Sequence, residues 1–64
     1  MAYYIFVRSL HPPSGWELLE AINHPRIAEY ALSDYEKMLG DESTAEVRMV
    51  RAGDETQARA LLPS

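Results

Sequence analysis

The sequence predicts a small α+β domain in the order β-α-α-β-α, with a two-stranded sheet that self-association or a partner completes. Three observations lead there. Tyr3-Tyr4-Ile5-Phe6-Val7 is an extended-favouring run with apolar residues on both faces, and such a run asks for cover on both sides. Thr44 to Arg51 is the one other strand-like segment, and only one of its faces is clearly apolar. Between and after these two, the residues follow helical spacing and carry capping signals.

The 64 residues form a single domain, 1–64. A domain of this length buries only about 60% of the surface its unfolded chain exposes, so its stability needs support. There is no Cys, which removes disulfides and thiolate metal sites. The two His residues lack further ligands at metal-site spacing, and no cofactor motif is present. Oligomerisation is the remaining source of support. At 47% hydrophobic and 25% charged, the composition is that of a folded globule.

In the first strand, Ala2 to Arg8 or Leu10, Tyr3, Ile5 and Val7 share one face while Tyr4, Phe6 and Arg8 share the other. His11-Pro12-Pro13 ends it, since consecutive prolines remove ladder donors. Ser14-Gly15-Trp16-Glu17 has capping-box spacing, and Trp16, Leu19 and Ile22 recur at helical intervals. A first short helix is expected here. Asn23-His24-Pro25 interrupts it, and a second helix is expected with Asn23 or His24 as cap and Pro25 in its first turn.

From Arg26 to Leu39, Ile27, Ala28, Ala31, Leu32, Tyr35, Met38 and Leu39 trace an apolar stripe, with Gly40 as the natural C-cap. Gly40 to Ser43 reads as a turn, followed by the second strand, where Val47 and Met49 oppose Glu46, Arg48 and Val50. Asp54 caps a last helix with Gln57 at box spacing, Ala58, Leu61 and Leu62 give its core stripe, and Pro63 ends it. The helical stretch between the strands is long enough for a right-handed crossover to a parallel neighbour, with an antiparallel pair as the alternative.

Net charge is −4, and it is unevenly placed: residues 17 to 46 carry eight acids against Arg26 and Lys37. This distribution argues against direct nucleic-acid binding, which needs clustered Lys and Arg. No apolar run reaches the roughly 20 residues of a membrane span, and the start lacks a signal-peptide pattern. The cytoplasm is the expected location.

Candidate chemistry is sparse. His24 sits at a helix start and has Glu20 and Asp34 within sequence reach, but such a His commonly serves as a cap. Ser9 and His11 lack the orienting third group of an activated nucleophile. Tyr4, Phe6 and Arg8 with Arg48 have the composition of a base-stacking sheet, against which stand the acidic charge and the small sheet. Packing, in the core or at an interface, is the better reading.

The closing segment Val47 to Leu62 resembles in outline the strand-then-helix endings of ferredoxin-like and dimeric α/β-barrel domains. That resemblance covers about a quarter of the chain and carries no functional residue with it.

The functional expectation is a non-enzymatic protein–protein interaction module, self-associating as a homodimer through the surface of the first strand. Tyr4, Phe6, Arg8, Trp16, Asp41, Glu42 and Glu46 are its candidate partner-binding residues. One alternative is a small acidic inhibitor or adaptor that docks on a basic, nucleic-acid-binding surface of a larger complex. A second is a subunit of a dimeric α/β-barrel-like enzyme.

Overall fold

The computed structural model describes residues 1–39 and 44–63. It contains β1 (Ala2–Ser9), β2 (Glu17–Ile22), α1 (Pro25–Met38), β3 (Ala45–Ala52) and α2 (Glu55–Ala60). The strands form one sheet in the order β2-β1-β3, and both pairings are antiparallel. The fold class remains small α+β, but the sheet has three strands rather than two and the order is β-β-α-β-α.

The correction lies in residues 17–22, expected to be helical and in fact the strand β2. Six residues between Trp16 and the break that begins at Asn23 are too few to offset helix nucleation, whereas the neighbouring β1 supplies a ladder at once. The Ser14 hydroxyl does not cap a helix. It accepts a hydrogen bond from the Ser9 amide at 2.8 Å, while the Ser14 amide donates to the Ser9 carbonyl at 3.0 Å, closing the His11–Pro13 turn.

The helical look of Leu18 and Leu19 comes from a bulge. Ile5 pairs with Glu20 and Phe6 with Leu18, leaving Leu19 as the extra residue on β2. A bulge breaks strict alternation, so two adjacent leucines both become half-buried and the period-2 signal is lost.

The three strands sit between two helical layers. Beneath α2, Phe6, Ala52 and Ala58 form a core on which Tyr4, Trp16, Leu18, Val50 and Leu62 pack. On the opposite face Ile5 and Ala28 are both 0% exposed, where α1 crosses the sheet. The doubly apolar run of β1 is thus explained within the chain. It is the central strand, edged by β2 and β3 and covered on both faces, so the sheet does not wait for an outside partner to complete it. Burying the Phe6 ring alone contributes on the order of 2–3 kcal/mol.

Both helices start as their sequences indicate. His24 is the N-cap of α1 with Pro25 at its first position, though the His24 side chain makes no capping bond. The helix runs unbroken through Ser33-Asp34, and Gly40 lies outside the described residues. In α2, Asp54 Oδ1 accepts from the Gln57 amide at 2.8 Å. Gln57 Oε1 in turn accepts from the Gly53 amide at 2.9 Å, a capping box shifted one residue back from the cap. No helix among the described residues is long and apolar enough to cross a membrane.

Candidate functional site

Three surfaces are built by this fold, and the first is a corner where the end of β1 and the loop before β2 meet α2 and the residues after it. Antiparallel pairing sets Arg8 opposite Glu46 and Phe6 opposite Arg48, so all four side chains share the α2 face. Arg8 Nε and Nη2 both reach Glu46 Oε1, at 2.9 and 2.8 Å, and Arg48 Nη2 donates to Glu46 Oε2 at 2.9 Å. The two guanidinium groups, Arg48's first and Arg8's second, hold the Glu46 carboxyl below the usual glutamate range, because each stabilises its ionised form.

Trp16 lies against this network. The Arg8 guanidinium is 4.6 Å from the Trp16 ring centre, a cation–π distance, and Trp16 Nε1 donates to the Pro63 carbonyl at 3.0 Å. Arg59 closes the corner from α2. Its guanidinium lies 5.2 Å from the Phe6 ring centre, Nη1 donates to the Trp16 carbonyl at 3.0 Å, and Nε donates to Glu55 Oε2 at 2.9 Å. Among the expected partner-binding residues, Arg8, Trp16 and Glu46 therefore come together here. Phe6 lies below them at 0% exposure, and Tyr4 is half-buried against the same core. Arg59 was not legible as a member, since its only sequence signal is the i,i+4 spacing from Glu55.

The second surface is the flank formed by α1 and β2. Ile27, Tyr30 and Met38 are 56%, 66% and 77% exposed, although the helical stripe predicts Ile27 and Met38 to be covered. A three-stranded sheet is narrower than the stripe; Ala28 takes the buried centre and these larger side chains fall to the sides. Beside them Glu20, Ala31, Asp34, Tyr35 and Met38 line an open groove of about 310 Å³. Tyr35 donates its hydroxyl to Glu20 Oε2 at 3.1 Å, and this bond to the carboxylate raises the phenol above its ordinary value. Glu20 and Asp34 supply the carboxylates of this groove, whereas Glu29 and Glu36 lie half a turn round α1 from Ile27 and Met38, on its other side.

The third surface is the pair of sheet edges. Among the described residues, each outer strand is laddered to β1 alone. β2 is short and bulged, features that discourage edge pairing. β3 pairs with β1 over all eight of its residues without a register shift and contains no Pro, Gly or Lys. Its edge is long and regular, and its charges are Glu46, Arg48 and Arg51.

Asp41 and Glu42, the other two candidate residues, lie outside the described residues. His24 is exposed, and no group of three or more His, Cys, Asp or Glu among the described residues is placed to hold a metal ion. No protein-family model matches the chain, and neither a curated protein nor a solved structure is significantly similar to it.

Proposed function

We propose that this chain is a non-enzymatic protein–protein interaction module of the cytoplasm that associates with its own copies. The observation that supports this most directly is the outer edge of β3, a straight eight-residue row of strand with no partner on one side among the described residues. Sheet extension through such an edge is a common binding mode, because main-chain hydrogen bonds supply affinity without special side chains. Self-association uses this edge rather than the faces of β1, which the two helices cover. Light scattering from micromolar to millimolar concentration should show a mass that doubles. A single-chain mass throughout would end this reading.

A second reading, an acidic adaptor that docks on a basic protein surface, is favoured by one specific feature. The α1–β2 flank combines exposed Ile27, Tyr30 and Met38 with the carboxylates of Glu20 and Asp34 in the adjoining groove, a pattern suited to a basic partner with apolar pockets. Its mark would be binding that weakens with salt and is lost when Tyr30 and Met38 become Ser.

A further inference from the structure

We infer that two copies join β3 to β3 in one antiparallel register, centred on Val47, to make a continuous six-stranded sheet. This rests on the self-association reading and names its surface, its register and the residues that select it.

The backbone decides which residues face outward. The Leu10 amide donates to the Thr44 carbonyl at 2.8 Å, one rung beyond Ser9–Ala45 in the β1–β3 ladder. Antiparallel pairs alternate between those that exchange hydrogen bonds and those that do not. Arg8–Glu46, Phe6–Arg48 and Tyr4–Val50 therefore exchange bonds with β1. The amides and carbonyls of Ala45, Val47, Met49 and Arg51 point away from it, to the open edge.

Side chains then choose among the registers. Two copies related by a twofold axis normal to the sheet keep their faces, so residues on the α2 face meet only residues on that face. An axis at Arg48 sets Arg48 against Arg48 of the second copy, and one at Glu46 sets two carboxylates together; both are unfavourable. An axis at Met49 pairs Arg48 with Val50. An axis at Val47 sets Glu46 against Arg48 of the second copy, twice over, and Ala45 against Met49 on the α1 face. It also makes Val47–Val47 and Ala45–Met49 the hydrogen-bonded pairs, matching the outward groups. Glu46 and Arg48 then face each other as a non-hydrogen-bonded pair, the closer kind.

The intrachain Arg48–Glu46 pair, with side chains 48% and 26% exposed, is open enough to accept these partners. Four charges would alternate across the seam, with Arg8 behind each Glu46.

Charge exchange tests the register. Glu46→Arg alone and Arg48→Glu alone each place like charges across both rungs, and each should weaken dimerisation about tenfold. An equimolar mixture restores both pairs between unlike chains and should recover the wild-type mass, although each variant still lacks its intrachain partner. Wild-type dimers that survive both changes, or a mixture no stronger than its components, would overturn this register and leave self-association standing. A wild type that is monomeric at millimolar concentration would remove both.

Cross-linking decides the matter even where the charge variants fold poorly. The chain has no native thiol, and Val47→Cys sets two Cα atoms about 5.5 Å apart across the axis, inside the disulfide window. Met49→Cys separates its pair by four residues along the strands. Rapid oxidation to a dimer is expected for the first and not the second. Equal rates, or none for Val47→Cys, would refute the proposal.

Discussion

Truncating Phe6 to Ala is the perturbation that most sharply separates a packing role from a binding role for the first strand. The ring is 0% exposed, sits at the centre of the middle strand, and touches a core supplied by β2, β3, α2 and the Trp16 corner. Removal of a fully buried Phe costs about 3–5 kcal/mol, because the transfer loss and the cavity add. Arg59 stacked at 5.2 Å adds to the loss rather than filling the gap, since a guanidinium does not collapse into an apolar void. Total stability for 64 residues is about 3–10 kcal/mol at typical values per residue. Phe6→Ala should therefore lose between about a third and all of the stability of the domain at 25 °C. Phe6→Leu, which keeps most of the volume, should lose roughly 1–1.5 kcal/mol. Urea unfolding followed by Trp16 fluorescence and circular dichroism measures both. A Phe6→Ala variant within about 1 kcal/mol of wild type, with an unchanged urea slope, would refute the placement of this ring in the core.

Three other perturbations carry definite expectations. Asp54→Ala should destabilise by about 1 kcal/mol, read as a lower urea midpoint, because the Gln57 amide loses its 2.8 Å acceptor at the start of a short helix. Glu46 has a folded-state pKa below its unfolded value, so its contribution is present above about pH 4.3 and fades as pH falls through the folded value; Glu46→Gln should flatten that acid limb of the stability profile. Tyr35 is shifted upward, so its contribution is complete below about pH 10 and fades as pH rises through the folded value. Tyr35→Phe should abolish that alkaline loss, and Glu20→Gln should bring the Tyr35 phenol, followed by ultraviolet titration, back toward its ordinary value.

Four of the five elements were legible in the sequence, and each announces itself locally. Tyr3 to Val7 and Val47 to Val50 carry β-branched and aromatic residues, Pro25 marks a helix start, and Asp54 with Gln57 spells a cap that forms. β2 does not announce itself. Glu17-Leu18-Leu19-Glu20-Ala21-Ile22 reads as helix because the bulge at Leu19 erases alternation, and what makes it a strand is the distant ladder of β1. With β2 hidden, the Tyr4–Phe6 face of β1 reads as unfilled and open to a partner, whereas in the structure Phe6 is core and Tyr4 packs against it under α2. Of the candidate site, the meeting of Arg8 with Glu46 depends on the β1–β3 register, which no local pattern specifies. Trp16 is legible as a candidate partner-binding residue, but Arg59 and the Pro63 carbonyl that hold it lie 43 and 47 residues further along the chain.

That long reach shapes how the chain acquires its structure during synthesis. β1 is made before β3 and α2, and Trp16 Nε1 waits for the Pro63 carbonyl 47 residues later and the Trp16 carbonyl for Arg59, 43 residues later. Only the β1–β2 hairpin has its partner early, and a lone hairpin is marginal in water. While α2 is still being added, the Phe6 side of that hairpin is wet, apolar and strand-forming, the combination most prone to wrong pairing on crowded polysomes. Joining its first strand to its last helix makes folding of this domain a late event, concentrated in the moment when residues 55 to 63 become free to dock.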